Sequence, residues 1–384
     1  MGRRPGVFGG DERGIAGRSP GEDTRAHRAR AHSDRCRIRR QVRPQSPATR
    51  PHRRRRSAVA FAPGDLRGCT RRAGRRCGPR PGHRRRETAG VMIVGLALTP
   101  ALDVTCEVDR LAIGGITRPS RVTRVAGGKT LNALRVAHAL GGSVHAVAAL
   151  GGHSGRWVRD LLRAERVPCT IVELSSATRT CTAIVESGSA VTSTDVYEPA
   201  PAFDVEDWNR FEAAVALLPA DDATIVLSGS LPPGKRALET VPALLRSSRA
   251  RGGRIVIDGS GAGLGATAHL ADLVKVNRAE AGELLKRSFP DAESACSALS
   301  SELGCDVIVT DGVRGAVAIW NGRTMGVPAP TRAGRFPAGS GDAFLGGLLS
   351  GIERGDDIEA ALRTARDAAE RNSRVPGQGI LAGA

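Results

Sequence analysis

The segment Gly339-Ser340-Gly341-Asp342 places an acidic side chain directly after a glycine-rich turn. The apolar run 348–352 follows it and is typical of a helix. Consecutive backbone N–H groups of the four residues can converge on one anion at a positive helix N-terminus. A carboxylate there could accept the proton of an attacking hydroxyl while the N–H groups stabilise a transferring phosphoryl group. We therefore predict a catalytic base, Asp342, beside an anion hole; the alternative is that Asp342 only caps the helix.

A second glycine motif, Gly127-Gly-Lys-Thr-Leu-Asn132, places Lys129 and Asn132 three residues apart, and therefore on one face of a helix. Two glycines before a helix let the backbone approach a polar ligand closely, although a plain strand-to-helix turn has the same pattern. Of the 57 basic residues only four are lysines. Because arginine is otherwise the usual cation here, Lys129 and Lys275 beside motif positions are predicted to act as compact charges on phosphate.

Two other glycine patterns are weaker. The sequence around Lys129 lacks the glycine that a phosphate-binding P-loop needs at Thr123. The segment Gly261-Ala-Gly-Leu-Gly-Ala266, with Glu280 further along, fits a loose dinucleotide fingerprint. We interpret it instead as a flexible loop between a strand and a helix. A nicotinamide enzyme that uses this segment is a minor alternative.

The first ninety residues differ in charge from the rest of the chain. They contain 26 arginines against 7 acidic residues, a net charge of +19, whereas residues 91–384 carry 31 basic and 32 acidic groups. With almost no apolar periodicity, residues 1–91 are predicted to be disordered. We interpret them as upstream DNA translated from a start codon set too early, with Met92 as the true start. A transit peptide or a nucleic-acid-binding arm is the alternative.

Several classes of protein are excluded by the sequence. No apolar run reaches the roughly eighteen residues of a membrane span, and the N-terminus lacks a secretory signal. The eight cysteines include no C-x-x-C pair, which argues against a zinc site or a disulfide framework. We therefore expect a cytoplasmic protein with reduced thiols.

From Met92 onward, short apolar runs alternate with segments of helical period. This alternation is typical of an α/β fold with a mostly parallel, buried sheet. The predicted strands are 92–98, 144–150, 224–228, 254–258, 272–276, 306–310 and 316–320. The predicted helices are 130–140, 155–165, 205–218, 236–251, 279–287, 292–303 and 357–372. Two segments, about 101–125 and 169–197, alternate β-branched and polar residues instead and predict a small, exposed, antiparallel lid.

Taken in order, the motifs resemble the phosphofructokinase-B branch of the ribokinase-like carbohydrate kinases, in particular its 1-phosphofructokinase and tagatose-6-phosphate kinase members. The resemblance runs from Met92 to about Gly379. Six motifs carry it: Thr99-Pro-Ala-Leu-Asp103, Gly127-Gly-Lys-Thr-Leu-Asn132, Ser228-Gly-Ser-Leu-Pro-Pro-Gly234, Lys275-Val-Asn-Arg-Ala-Glu280, Thr310-Asp-Gly-Val-Arg-Gly315 and Gly339-Ser-Gly-Asp342.

The resemblance implies a three-layer α/β/α sandwich over residues 92–384, with a mostly parallel central sheet and a β lid that often forms a homodimer. It implies ATP and Mg²⁺ as cofactors and assigns the site residues by their matching motifs. Sugar binding would fall to Asp103, Gly127, Gly128, Lys129 and Asn132. Nucleotide binding would fall to Lys275, Asn277, Glu280, Thr310, Gly312, Gly315 and Asn372. Of these, Asn277 and Glu280 would order Mg²⁺ through its waters.

Substrate class follows from the same resemblance. In this interpretation Arg179 and Lys129 clamp a phosphate already on the sugar, and fructose 1-phosphate is converted to fructose 1,6-bisphosphate. Fructose 6-phosphate and tagatose 6-phosphate are close alternatives. An alternative of another class is a non-catalytic regulatory protein that binds nucleic acid through the arginine-rich arm.

Five residues depart from the family pattern: Thr99, Thr130, Ser340, Glu370 and Arg371. The β-branched Thr130 is expected to add bulk beside the sugar site and so to shift substrate preference or reduce activity. Glu370 and Arg371 stand where the family carries small residues near adenine, which is expected to weaken nucleotide binding.

Overall fold

The computed structural model describes residues 91–188, 193–218, 221–332 and 334–383. Except for Val91, the arginine-rich extension predicted over residues 1–91 lies outside the described residues. No helix in the described ranges is long and apolar enough to cross a membrane.

A central sheet of nine strands forms the middle layer of the described part. Its inner strands are buried on both faces; β8, for example, is buried along its whole length. In spatial order they are β13 (Arg323–Val327), β12 (Ala316–Trp320), β11 (Asp306–Thr310), β10 (Leu273–Asn277), β9 (Arg254–Asp258), β8 (Thr224–Ser228), β1 (Ile93–Ala97), β4 (Val144–Leu150) and β5 (Cys169–Glu173). All neighbours from β5 to β11 pair in parallel, whereas β12 and β13 are antiparallel additions.

Helices cover both faces of this sheet, so the predicted α/β/α sandwich is confirmed. One face packs against α1 (Lys129–Ala139), α2 (Gly152–Ala164), α8 (Ser340–Glu353) and α9 (Ile358–Ser373). The other packs against α3 (Val205–Ala216), α4 (Lys235–Ala250), α5 (Gly261–Thr267), α6 (Arg278–Leu285) and α7 (Ala292–Leu303).

Strand order reverses between β1 and β8, because the chain first runs outward through β4 and β5 and then returns to build β8 to β11 on the other side. Ligands of open α/β sheets bind at such a switch point, beyond the carboxyl ends of the strands. Thr130, in the first turn of α1, lies there: its hydroxyl donates to the Ser228 carbonyl of β8 at 2.7 Å.

A second sheet of four strands, in the order β3 (Arg121–Gly127), β2 (Ala101–Val108), β6 (Arg179–Glu186) and β7 (Thr194–Tyr197), contains most of the two predicted lid segments. Two details of the prediction are wrong. β2 and β6 pair in parallel rather than antiparallel, and the strand Cys169–Glu173 pairs with β4 in the central sheet. The alternating pattern of residues 169–173 arises from an edge position in the larger sheet, which exposes one face more than the other.

Two further elements differ from expectation. The segment predicted as a flexible loop, Gly261-Ala-Gly-Leu-Gly-Ala266, is helical and forms α5. Its Leu264 is buried, and that tertiary packing offsets the low helix propensity of glycine. Strand β13 was not predicted, because its residues are mostly exposed and lack an apolar run.

Candidate active site

Asp342 lies in the first turn of α8, which begins at Ser340. The N-cap is Gly339, whose φ of 81° lies in the left-handed region that glycine adopts without strain. A side chain at Gly339 would also meet Gln378, since a Cβ there would lie 2.8 Å from the Gln378 Cβ. The alternative that Asp342 caps the helix is therefore wrong, and its carboxylate is left for another role.

The anion hole is smaller than predicted. The Ser340 N–H does not point to a shared anion but donates to the Pro337 carbonyl at 3.1 Å. Among the described residues, the N–H groups of Gly341 and Asp342 have no acceptor, as expected in the first turn of a helix. The Lys275 ammonium lies 3.3 Å from the position of a Cβ on Gly341. Two N–H groups and one ammonium therefore surround this point.

The Asp342 carboxylate is buried, with an exposed fraction of 6%. Burial raises its pKa to about 6, opposed by the charge of Lys129 and reinforced by that of Asp258. The Asn132 amide donates to Oδ2 at 2.9 Å. This group stays largely ionised at neutral pH but holds a proton more readily than an ordinary carboxylate, as a general base should.

A second buried carboxylate, Asp103, lies at the base of the lid in β2. It packs directly against Gly127, where an added Cβ would lie 2.0 Å from the Asp103 Cγ. The Gly128 N–H donates to its Oδ2 at 3.4 Å. Burial raises the pKa of Asp103 to about 7, and the hydrogen bonds from Gly128 and Asn132 lower it in part.

Lysines from two elements meet around the carboxylate of Asp258, at the carboxyl end of β9. The Lys275 Nζ donates to Asp258 Oδ2 at 2.8 Å, and both groups are buried. The Lys129 Nζ is 4.0 Å from Asp258 Oδ1 and 3.0 Å from Glu280 Oε1. Burial lowers the pKa of Lys129, but these two carboxylates raise it more, so it stays charged.

Sequence reasoning missed Asp258. The signal was an acidic residue ending the apolar strand Arg254–Asp258, at the edge of a parallel sheet where ligands bind.

Arg179 begins β6 at the lid base. Its Nη2 donates to the Thr99 carbonyl at 3.1 Å, and its Nε is buried without a hydrogen-bond partner. A Cβ on Gly128 would lie 3.0 Å from the same Thr99 oxygen. Arg179 therefore lies close to the N-terminus of α1.

Asn277 and Glu280 form a capping box at the start of α6. The Glu280 N–H donates to Asn277 Oδ1 at 2.9 Å, and the Asn277 N–H donates to Glu280 Oε2 at 2.8 Å. The ordinary helix start considered for this pair is thus present, and Glu280 also accepts from Lys129 at 3.0 Å. In the described ranges no three acidic, histidine or cysteine side chains cluster as a metal site.

The turn after β11 carries the other predicted nucleotide residues. Thr310 pairs in register with Asn277 on β10, which brings this turn beside the capping box. Gly312 has open space beside its Cα, whereas a Cβ on Gly315 would lie 2.2 Å from the Val327 carbonyl. Gly312 leaves room for a ligand, and Gly315 is required for packing against β13.

Asn372 is fully buried behind the anion hole rather than open to a ligand. Its Nδ2 donates to the Ala338 carbonyl at 3.0 Å, and its Oδ1 accepts from the Gly379 N–H at 2.8 Å. It therefore fixes the turn that precedes α8.

The expectation for Thr130 is wrong. Its hydroxyl donates to the Ser228 carbonyl and accepts from the Ser228 N–H at 3.0 Å. Its methyl group faces β1, because a Cβ on Gly95 would lie 2.8 Å from Thr130 Cγ2. The side chain joins α1 to the sheet instead of adding bulk beside a ligand.

Glu370 and Arg371 likewise make contacts within the protein. Glu370 accepts from the Thr331 N–H at 2.8 Å and from Arg374. Arg371 donates to the Ala382 carbonyl at 2.9 Å. These side chains fasten α9 to the segments on either side of it.

Comparison with known families identifies the chain. The model of the pfkB family of carbohydrate kinases matches residues 88–379. The chain belongs to this family. Its resemblance to the phosphofructokinase-B kinases, stated above from six motifs, is confirmed.

Relatives of this pfkB kinase include a tagatose-6-phosphate kinase from Staphylococcus epidermidis, 28% identical over 281 residues that cover 71% of this chain and 89% of that one. Phosphofructokinase-2 from Escherichia coli superimposes with a TM-score of 0.69 at 26% identity, covering 76% and 96% of the two chains. A protein described as a possible 1-phosphofructokinase from Thermotoga maritima has the same fold, with a TM-score of 0.64 at 20% identity over 76% and 94%.

The prediction of an enzyme is therefore confirmed: the chain is a sugar-phosphate kinase, an ATP-dependent phosphotransferase.

Proposed function

We propose that this kinase transfers the γ-phosphoryl group of ATP to the 6-hydroxyl of fructose 1-phosphate. The observation that most strongly supports this proposal is the buried carboxylate of Asp342, which lies beside the Lys275 ammonium and two N–H groups that have no acceptor among the described residues. A base and an electropositive point so close together are what phosphoryl transfer to a hydroxyl needs.

Asp342 acts as the base. Asn132 holds its Oδ2, and Oδ1 accepts no hydrogen bond from the described residues, so it can take the proton of the sugar hydroxyl. The Gly341 and Asp342 N–H groups with Lys275 stabilise the charge on the transferring phosphoryl group. Each of these groups is positioned before the substrate arrives.

The phosphate already on the sugar binds Lys129 and Arg179. Both lie at the N-terminus of α1, and Arg179 still has an unused buried donor, Nε. A guanidinium and an ammonium can bind a phosphate dianion together. Asp103, whose pKa is raised to about 7, accepts or donates to sugar hydroxyls nearby.

ATP binds along Lys275, Thr310 and Gly312, with Mg²⁺ ordered by Asn277 and Glu280 through water. The residues fit this ion, because Mg²⁺ commonly binds one or two carboxylates and keeps several waters. When bound, Mg²⁺ neutralises charge on the phosphates. Glu280 accepts from Lys129 through one oxygen, so the waters of a bound ion and the lysine would share this carboxylate.

The test is an ADP-release assay on the full chain with fructose 1-phosphate, fructose 6-phosphate, tagatose 6-phosphate and free fructose. We expect turnover with fructose 1-phosphate and its loss in Asp342→Asn. Turnover confined to free fructose would contradict the two-cation phosphate site, and no turnover of any sugar would contradict the proposal as a whole.

Tagatose 6-phosphate is the second candidate. A relative with that name is 28% identical to this chain, and the same two cations could bind a phosphate at the other end of a ketohexose. A kcat/KM for tagatose 6-phosphate above that for fructose 1-phosphate in the same assay would select it.

A homodimer through the lid is part of the proposal. All four residues of the edge strand β7 are exposed, and its Val196 and Tyr197 are 61% and 51% exposed. An unpaired edge strand with apolar side chains can pair with another copy. Light scattering should give the mass of a dimer, and a monomeric mass would refute this part.

A further inference from the structure

The segment 376–379 follows α9 and crosses the back of the site. Gln378 lies at its centre with an exposed fraction of 8%. Neither the motifs nor any site residue predicted from the sequence includes it. Its side chain nevertheless lies within hydrogen-bonding distance of Asn132, the residue that holds Asp342.

The backbone of this segment is held on two sides. Arg135 Nη1 donates to the Gln378 carbonyl at 2.9 Å, and Arg135 is itself paired with Glu165. The Gly379 N–H donates to Asn372 Oδ1 at 2.8 Å. The backbone at Gln378 is therefore held in place, as is required if its side chain is to orient a neighbouring residue.

Two hydrogen bonds link the side chain of Gln378 through Asn132 to Asp342, the proposed base. Asn132 Nδ2 donates to Asp342 Oδ2 at 2.9 Å and to Gln378 Oε1 at 3.4 Å. The same amide also hydrogen-bonds Asp103, whose pKa it lowers. If the amide turned over, its oxygen would face these acceptors, so Gln378 acts together with Asp342 and Asp103 to select one orientation.

Two buried polar atoms beside these contacts have no hydrogen-bond partner in the described part of the chain: Asn132 Oδ1 and Gln378 Nε2. An unpaired buried polar atom is unfavourable. Among the described residues, the contact that the Gln378 side chain makes is the one with Asn132 Nδ2.

We infer that Gln378 is a positioning residue for phosphoryl transfer: it orients the Asn132 amide toward the Asp342 carboxylate. The inference rests on the proposed function, since it needs Asp342 as the base. Gln378 itself touches neither the sugar nor ATP in this role. Asn132 donation lowers the pKa of Asp342 against the effect of burial, so its loss should be visible in a pH profile.

Other charges also face Asp342 and must be considered. Lys129 from α1 and Lys275 from β10 lower its pKa, whereas Asp258 from β9 raises it. Asp103 from β2 is close enough for Asp342 to raise its own pKa. A substitution at Gln378 leaves all four in place, so a change in the profile reports on the Asn132 contact.

The test compares kcat/KM against pH for fructose 1-phosphate in wild type, Gln378→Met and Gln378→Glu. Methionine keeps the shape but accepts only weakly. We expect kcat to fall about fivefold, with a nearly unchanged KM, and the acidic limb to move to higher pH. Glutamate restores an acceptor but adds a negative charge. The acidic limb should therefore move to still higher pH, whereas kcat above that limb should return toward the wild-type value.

Ile380→Val, directly after the segment, is the control for packing and should leave the profile unchanged. The inference is overturned if both Gln378 variants keep the wild-type acidic limb, or if kcat falls only together with the melting temperature. Absence of turnover by the wild type on every sugar phosphate would instead overturn the proposed function, which separates the two failures.

Discussion

The two ends of this site differ in how completely their polar groups are hydrogen-bonded. Around the base and the start of α1, three buried polar atoms have no hydrogen-bond partner among the described residues: Asn132 Oδ1, Asp258 Oδ1 and Arg179 Nε. Around the capping box, Asn277 and Glu280 satisfy each other's backbone N–H groups. The first arrangement is unfavourable without a ligand, whereas the second is a stable helix start in its own right.

The difference indicates which end of the site has polar groups for a ligand to pair with and which end is already paired within the protein. A substrate that supplies the missing partner of a buried polar group makes that group more favourable. A capping box gains nothing comparable from a ligand, and a metal must compete with its internal contacts. We therefore expect substitutions near Asp342 to affect catalysis strongly and substitutions near Asn277 to affect it modestly.

The largest expected effect is that of Asp342→Asn. Removing the base should lower kcat by about a thousandfold. Burial in the folded state raises the pKa of this carboxyl from 3.8 to about 6. The stability that the protonated carboxyl contributes is therefore present at low pH and is lost as the pH rises from about 4 to about 6. At about pH 8 the asparagine variant should therefore melt at the same temperature as wild type or higher.

Asp291→Asn is the matched control, because Asp291 is an exposed N-cap of α7 and asparagine caps equally well. It should leave kcat and melting temperature unchanged. A loss of activity in Asp342→Asn accompanied by a lower melting temperature would indicate a structural role and remove the contrast between the two ends.

Arg179→Gln should have the next largest effect. A hydrogen bond to a charged phosphate contributes about 1.5–3 kcal/mol, so KM for the sugar phosphate should rise by about tenfold or more. KM for ATP should stay constant. Arg121→Gln, which removes an exposed arginine from the same sheet, serves as the control, and an equal rise in both variants would refute a specific phosphate contact.

Glu280→Gln should have a smaller effect. Glutamine keeps one acceptor oxygen, so it can still accept from the Asn277 N–H but gives up the bond from Lys129. Because that ion pair is partly exposed, stability should fall by about 1 kcal/mol or less. The Mg²⁺ concentration for half-maximal activity should rise about fivefold at fixed ATP, because a neutral amide holds the ion's waters less well. The control is Glu283→Gln on the same helix; identical Mg²⁺ curves for Glu280→Gln and wild type would show that Glu280 serves only the helix.

Thr130→Gly should have the smallest effect on catalysis. The hydroxyl joins α1 to β8 through two hydrogen bonds, so the free energy of unfolding should fall by about 2 kcal/mol, partly through glycine's low helix propensity. Thr130→Ser, which keeps the hydroxyl, should recover most of it. A glycine variant as stable as wild type and more active would restore the view that Thr130 obstructs the sugar.

Much of the fold could be predicted from the sequence, because a buried parallel strand such as Thr224–Ser228 appears as a short apolar run. The pairing direction of β2 with β6 could not, since alternation along one strand carries no information about its neighbour's direction. Helix α5 was missed because the burial of Leu264, not local propensity, keeps it helical.

Within the site, the position of Asp342 in the first turn of a helix could be predicted from its motif, because glycines before a helix constrain the backbone locally. Gln378 and Asp258 could not, because their roles come from contacts between residues far apart in the chain. The departure at Thr130 was misjudged for the same reason: the motif shows the side-chain type but not that it faces β1 and β8.

The most direct test of the account is the pH dependence of kcat/KM for the sugar phosphate in wild type. Burial raises the pKa of Asp342 to about 6 and that of Asp103 to about 7, and the two carboxyls lie close enough to titrate together. Activity should therefore fall as the pH drops through the range of about 7 to 6, where the pair takes up its protons. A profile that stays flat down to about pH 5 would contradict a buried carboxylate base.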